Sequence, residues 1–413
     1  MTSAPLARRL GLADAIVIGV GSMVGAGVFA AFTPAAQAAG NGLLIGLAVA
    51  ALVALCNATS TAQLAAVYPV SGGTYVYGRE RLGPWWGFVA GWGFVVGKTA
   101  SCAAMALVFA AYAAPAGWER PVAVVAVLAL AAVNYFGVTR TAALTRAIVV
   151  VVLLALAIAV AAGATSMPPA LPLADGLLAG GVYGILQSAG LLFFAFAGYA
   201  RIATMGEEVR DPARTIPRAI VVALAAAVVV YAAVAVALLG SLGADGVASS
   251  DAPVADMVTA SGWEWAAPVV RVGAAAASLG ALLGLIAGIG RTTLAMAREG
   301  DLPGWLAAVH PRYRVPHHAE IALAVVVSVL VVAVDLRGAI AFSSFGVLVY
   351  YFVANVAAFG QPAAQRRYPK AMQIVGAVAC LVLVATLPVA GVIGGVVVLA
   401  VGVVYRSVAV RTQ

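Results

Sequence analysis

The chain has 413 residues, 64% of them hydrophobic and only 9% charged, with a mean hydropathy of +1.07. No soluble domain of that size can hide so much apolar surface, which leaves the bilayer as its solvent. The net charge of +8 does not call for nucleic acid, because the basic residues fall where membrane topology puts them.

Spans of about 20 apolar residues predict twelve transmembrane helices, near 13–40, 42–66, 85–113, 121–139, 145–165, 178–205, 217–241, 265–297, 319–336, 339–358, 372–388 and 390–407. With the N-terminus cytoplasmic, only Arg120, Arg271 and Arg337 of the 23 basic residues fall outside. Lys98 and Arg201 fall within spans, and the others, from Arg8 and Arg9 to Arg411, fall inside. This bias supports cytoplasmic termini and an even number of spans. The expected organisation is a single membrane domain over 1–413, with polar connections at 67–84, 206–216, 241–264 and 298–318. Apart from Lys98 and Lys370 every basic residue is arginine, which with the abundant Ala, Val and Gly suggests a GC-rich bacterial genome.

Arg8, Arg9 and Ala36-Gln37-Ala38 imitate a signal peptide around span 1. Further spans follow at once, so span 1 reads as an uncleaved helix. Its middle runs Gly21-Ser22-Met23-Val24-Gly25-Ala26-Gly27-Val28-Phe29. Each glycine in a helix interior costs up to ~1 kcal/mol relative to alanine. A helix broken here points bare amides and a half-helix N-terminus into the protein, which suits a carboxylate. Side chains at Gly25 or Gly27 are expected to fill that pocket. The same glycines also suit a close helix-packing face, and this segment alone does not separate the two.

Lys98 stands 13 residues beyond Trp85, roughly 20 Å into span 3. Its cost at mid-bilayer, at least ~2.5 kcal/mol, makes it a functional candidate, and its stem is too short to snorkel to either surface. It can equally be held by carbonyls of a broken helix. Cys56, Cys102 and Cys380 sit singly in apolar spans, with no disulfide or metal spacing.

Span 6 contains a second interruption, Phe193-Phe194-Ala195-Phe196-Ala197-Gly198-Tyr199, followed by Arg201, which can pair with Glu207 or Glu208. Interrupted helices at the start of spans 1–5 and of spans 6–10 are the mark of inverted-repeat transporters. The repeats then cover 13–165 and 178–358, and spans 11 and 12, within 372–407, lie outside them. Asp14 and Glu320 sit at span ends, so no carboxylate is expected inside the spans. A cationic substrate side chain would meet Lys98 and Arg201 without a counter-ion, which favours neutral or anionic substrates.

Other classes fit less well. An integral membrane enzyme needs an activated polar group at depth, whereas His310, His317 and His318 all fall in a loop that reads as solvated. A channel needs a continuous polar ring, usually from several subunits. There is no phosphate-binding Gly-x-x-x-x-Gly-Lys-Ser/Thr loop.

Four segments resemble the amino acid–polyamine–organocation permeases. They are Gly21–Phe29, then Pro69-Val70-Ser71-Gly72-Gly73-Thr74-Tyr75 with Gly83-Pro84, then Phe193 through Glu207-Glu208-Val209-Arg210-Asp211-Pro212 to Ile216-Pro217-Arg218-Ala219-Ile220, and Arg291 through Arg298-Glu299-Gly300-Asp301-Leu302-Pro303. The resemblance implies an all-α, leucine-transporter-like 5+5 inverted repeat with spans 1 and 6 unwound, followed by two C-terminal helices. It implies a substrate α-carboxylate on backbone N–H groups of Ser22, Met23, Val24, Gly25, Ala26 and Gly27. The α-amine lies on carbonyls of Phe194, Ala195, Phe196, Ala197 and Gly198, with Phe194 closing over the substrate. Many members carry a coupling lysine in span 5; this chain has none there, and Lys98 and Arg201 are the coupling candidates. Many cation-handling relatives have an acidic residue where Ala200 stands. The expected function is a secondary amino acid permease of the cell membrane, with bilayer, amino acid and possible proton as partners and no metal or cofactor. Import as a symporter, export, exchange and oligomeric state stay open.

Overall fold

A computed structural model describes residues 10–69, 72–137, 142–168, 176–206 and 208–412. Arg8, Arg9, Val70, Ser71 and Glu207, all named above, lie outside them. Among the described residues the chain is helical throughout, and its one β-bridge pairs Leu10 with Val209. The helices are α1 (Leu12–Met23), α2 (Ala26–Ala30), α3 (Phe32–Ala39), α4 (Leu43–Val67), α5 (Thr74–Leu82), α6 (Pro84–Ala113), α7 (Glu119–Tyr135), α8 (Ala142–Thr165) and α9 (Gly181–Phe196). They continue with α10 (Ala200–Ala203), α11 (Pro212–Ser249), α12 (Pro253–Ala260), α13 (Ala267–Arg298), α14 (His317–Ala333), α15 (Leu336–Phe359), α16 (Lys370–Thr386) and α17 (Val389–Thr412).

Among the described residues each expected span overlaps a helix. Nine helical stretches among the described residues are long and apolar enough to cross a membrane. One of them, Phe32–Val67, runs through the 3-10 turn Gly40–Gly42, so it joins the end of span 1 to span 2. Gly40 has φ of 55°, a conformation that side chains resist. The helices α14 and α16 are apolar but shorter, and α7 has 17 residues.

Two connections carry more structure than their polarity suggests. The 67–84 loop folds α5 between Gly73 (φ 56°) and Gly83 (φ 104°). The span 7 helix bends at Gly243 (φ 68°) and continues to Ser249, after which α12 packs across α8, α11 and α13.

The interior is built on contacts of α6 with α13 and α15, of α4 with α9 and α11, and of α1 with α8 and α11. The outer layer includes α14, which packs on α6, α7 and α13, and α17, held to α6 by a Trp92 indole N–H donating to the Val398 carbonyl at 2.9 Å. Two of the buried polar residues of α4, Asn57 and Ser60, bond sideways to α15. Asn355 Nδ2 donates to Asn57 Oδ1 at 2.6 Å, and Ser60 Oγ donates to Asn355 Oδ1 at 2.7 Å. Polar pairs of this kind hold apolar spans together where hydrophobicity gives no preference between lipid and protein.

One end of the bundle is closed by a buried ionic cluster. Asp301, 4% exposed, accepts a hydrogen bond from the Tyr75 hydroxyl at 2.9 Å and pairs with Arg79 at 3.4 Å and with Arg406. The Arg406 guanidinium lies 5.0 Å from the Trp85 ring and 4.9 Å from the Phe88 ring. Arg79 also reaches Glu299 at 2.9 Å. The cluster therefore ties α5, α6, α17 and the end of α13 together. Removing one partner of a buried ion pair costs about 3–5 kcal/mol. Arg406→Met is expected to lose stability on that scale, read as an earlier unfolding midpoint in a denaturant titration, whereas removal of the exposed Arg214–Asp211 pair by Arg214→Gln is expected to leave the midpoint in place.

Candidate functional site

The two interruptions meet. Span 1 breaks between Met23 and Ala26, and the local cause is readable. Ser22 Oγ donates back to the Ile18 carbonyl at 2.7 Å, a bond that loosens the helix below it. Val24 (φ −76°, ψ 52°) then forms an inverse γ-turn in which Gly25 N–H donates to the Met23 carbonyl at 2.7 Å. The helix restarts at Ala26 and keeps helical backbone through Ala31 (φ −78°, ψ −17°) into α3. The amides of Val24 and Gly25 are thus bonded within the chain, and the first-turn amides of Ala26, Gly27 and Val28 have no intrahelical acceptor.

Span 6 departs from the expected unwinding. It tightens to a 3-10 turn over Ala197–Tyr199 and resumes as α10, with every residue from Phe196 to Ala200 for which a capping conformation is defined in the right-handed helical region. One glycine does not remove enough helix propensity to open the chain, and a 3-10 turn keeps the hydrogen bonds while rotating the carbonyls. Gly198 serves close approach instead: a Cβ there would overlap the Ser22 carbonyl and lie 2.7 Å from Met23 N. A Cβ on Gly27 would lie 2.6 Å from Ala195 Cα. Gly25 differs, since its nearest neighbour would be Ala281 Cβ of α13 at 3.4 Å.

Carbonyls at the junction draw donors from three other spans. The Tyr231 hydroxyl of α11 lies 2.5 Å from the Met23 carbonyl and 2.9 Å from the Ala195 carbonyl, so its single proton stands between the two interruptions and is given to one carbonyl at a time. Lys98 Nζ donates to the Ala197 carbonyl at 3.4 Å, and the Tyr351 hydroxyl of α15 donates to the same oxygen at 3.4 Å. Lys98 is 7% exposed. Phe194 is buried in the core cluster, while its neighbours Phe193 and Phe196 make edge contacts with Tyr351 and Tyr231.

Arg201 is half-buried in α10 and belongs to none of the ion pairs among the described residues, Glu208 included. Beyond it, Leu10 N–H donates to the Glu208 carbonyl at 3.1 Å and Arg210 N–H to the Leu10 carbonyl at 2.9 Å. The chain ahead of span 1 is therefore stitched to the chain after span 6, and the two interrupted spans are joined at that end as well as at the middle.

The charges outside the junction are accounted for separately. Asp14 accepts from Gly11 N–H at 3.1 Å and pairs with Arg146. Glu320 is buried, 3% exposed, on the outer helix α14, with Oε2 lacking a hydrogen-bond partner. The three histidines do not form a solvated loop. They are half-buried among aromatic rings, with His317 5.3 Å from His310 and 4.2 Å from His318, and Tyr135 beside two of them. Among the described residues no cluster of His, Cys, Asp or Glu has the makings of a metal site. Cys56, Cys102 and Cys380 are free and buried, as expected.

Sequence reasoning missed Tyr231 and Tyr351. The available signal was the phenol itself: a tyrosine deep inside an apolar span needs a partner for its hydroxyl.

Comparison with known proteins places this architecture. A family model described as amino acid permease matches residues 10–410. An uncharacterized transporter of Mycobacterium tuberculosis is 58% identical over 400 residues, 96% of this chain and 90% of the relative. The branched-chain amino acid permease BcaP of Bacillus subtilis is 28% identical over 342 residues, 76% of this chain and 72% of its own. The chloroplastic cationic amino acid transporter 7 of Arabidopsis thaliana is 29% identical over 381 residues, 85% of this chain and 65% of its own. The chain belongs to the amino acid permease family of the amino acid–polyamine–organocation superfamily: it is a multi-pass membrane transporter of amino acids and not an enzyme.

Proposed function

We propose that the chain is a secondary transporter that carries neutral or anionic amino acids by alternating access through the junction of spans 1 and 6. The observation that carries the reading is the meeting of two interrupted helices, with first-turn amides on one and donor-bridged carbonyls on the other. Amides at a helix start attract a carboxylate and carbonyls attract an ammonium, so the junction has the two poles of an amino acid backbone. Within Ser22 to Gly27 the amides of Ala26 and Gly27 are the carboxylate donors. The amine acceptors lie within Phe194 to Gly198, and Phe194 is the side chain that closes over the substrate. The fold is read as twelve spans in a 5+5 inverted repeat with both termini cytoplasmic, in the cell membrane of a bacterium.

Electrostatics supports the substrate class. Lys98 lies at the junction, and Arg201 lies beyond it within electrostatic reach of Glu208 and Arg291; Asp14 is engaged by Arg146, and Glu320 is buried on α14. An anionic or neutral side chain fits that field; the relatives' names divide, the branched-chain substrate named for BcaP being neutral and that of the Arabidopsis transporter 7 cationic, so the reading rests on the charges alone. Lys98 is the coupling candidate. Its amine lies on the Ala197 carbonyl, one of those proposed for the substrate amine, so gain or loss of a proton there changes what that carbonyl offers.

Three outcomes test the reading. Gly25→Ala fits the fold, since its Cβ meets only ordinary contacts near Ala281. Expression and unfolding are expected to match wild type, while the affinity for substrate falls roughly 10–100-fold because the methyl crowds a carboxylate seated on the neighbouring amides of Ala26 and Gly27, an overpacking cost of ~1–3 kcal/mol. Unchanged binding in a scintillation proximity assay would remove the site from this junction.

Across a panel of amino acids in a thermal-shift measurement, neutral or acidic members are expected to stabilise the protein, and arginine, lysine and agmatine are not. Preferential stabilisation by arginine defeats the electrostatic argument.

Lys98→Met keeps most of the stem volume and removes the titrating amine. In proteoliposomes it is expected to retain counterflow exchange and to lose the pH dependence of net uptake. A wild-type pH profile in the variant makes Lys98 a purely structural bridge between α6 and the span 6 turn.

A further inference from the structure

An open surface hollow, lined by none of the junction residues, lies at the start of span 7. It measures about 420 Å³ and is lined by Arg214, Arg218, Arg367, Pro217, Val221, Val222 and Tyr368. Three arginines therefore border one hollow, two from the first turns of α11 and one from the segment between α15 and α16. All three arginines are exposed, and Arg214 meets Asp211 only at 3.9 Å. Among the described residues no carboxylate lines the cavity. Such a hollow attracts a multiply bonded anion, and phosphate oxygens match the guanidinium fork.

The rest of the lining says which phosphate. Val221 and Val222 are 36% and 47% exposed, and the same outward face of α11 continues through Ala225 to Val229, which is 68% exposed. From Arg218 to Val229 is about 17 Å along the helix, close to the depth of one leaflet's hydrocarbon. A free phosphate ion has no use for that apolar track, whereas an acyl chain does. Tyr368 at the rim is of the residue type that settles at the headgroup level. Basic pockets between membrane helices at their arginine-rich ends suit anionic lipid headgroups.

We propose that this cavity is a binding site for an anionic phospholipid, with the headgroup phosphate on Arg214, Arg218 and Arg367 and an acyl chain along Val222, Ala225 and Val229. The site does not depend on the transport reading, since none of its residues touches the junction of spans 1 and 6.

The test is native mass spectrometry of the full chain in detergent, offered equal amounts of dioleoyl phosphatidylglycerol and dioleoyl phosphatidylcholine. Phosphatidylglycerol is expected to be retained about tenfold over phosphatidylcholine, and the Arg218→Gln/Arg367→Gln variant is expected to retain both equally. These side chains are exposed, so the variant's thermal unfolding in phosphatidylcholine is expected to match wild type. Equal retention of the two lipids by the wild-type chain overturns the proposal, as does an unchanged preference in the variant. Displacement of phosphatidylglycerol by millimolar inorganic phosphate, or equal retention of a dihexanoyl phosphatidylglycerol, assigns the cavity to a free anion and likewise overturns it.

Discussion

A helix interrupted inside an apolar bundle exposes carbonyls that no water is at hand to satisfy, and each must find a donor or cost several kcal/mol. That constraint organises the centre of this protein. The carbonyls of Met23, Ala195 and Ala197 recruit Tyr231, Lys98 and Tyr351. These donors come from α11, α6 and α15, so satisfying the interruptions also fixes where three other spans stand. Spans 1 and 6 are thereby held to the rest of the bundle by hydrogen bonds of about 1 kcal/mol net each. Such links are firm enough to position the junction and weak enough to be exchanged.

The two interruptions solve the same problem unequally. Span 1 opens because Ser22 bonds back along its own helix and glycines follow within one turn, so little propensity opposes the break. Span 6 has one glycine and strongly packed aromatics, and it compresses to a 3-10 turn. Its Gly198 is required for the approach of two backbones, because the Ser22 carbonyl occupies the place of a side chain. The glycine-rich packing face and the broken helix, alternatives in the sequence, are both present: Gly27 and Gly198 pack, while Met23 to Gly25 turn.

How much of this was legible depended on how local each signal was. Hydropathy located the spans because a membrane helix must be apolar along its own length. The break in span 1 was legible for the same reason, its cause lying within nine residues. Lys98 drew notice through its cost at depth, and its carbonyl partner was one of the two readings open to it. Tyr231 passed unnoticed because an aromatic in an apolar span looks like core; its role depends on residues 208 and 36 positions away, Met23 and Ala195. Arg406 counted only as one of many rim cations, since the pairing with Asp301 joins the last helix to the end of α13. The shape of span 6 was illegible because a glycine signals freedom of backbone and closeness of approach with the same letter.

The chain also holds its buried cations in two different ways, and the difference matters for transport. Arg406 at the rim is matched by a full carboxylate and stacked on two rings, an arrangement with no reason to come apart. Lys98 at the centre is matched only by a carbonyl dipole shared with Tyr351. A carboxylate in that position would hold the lysine as firmly as Asp301 holds Arg406, and would attract cationic substrates as well. A dipole leaves the lysine replaceable. On the proposed reading, the substrate ammonium seeks the group of carbonyls to which Ala197 belongs, so Lys98 acts as a resident amine that keeps the acceptor satisfied while the site is empty and yields it when an amino acid arrives. The absence of a carboxylate partner for Lys98 among the described residues is then what permits the exchange.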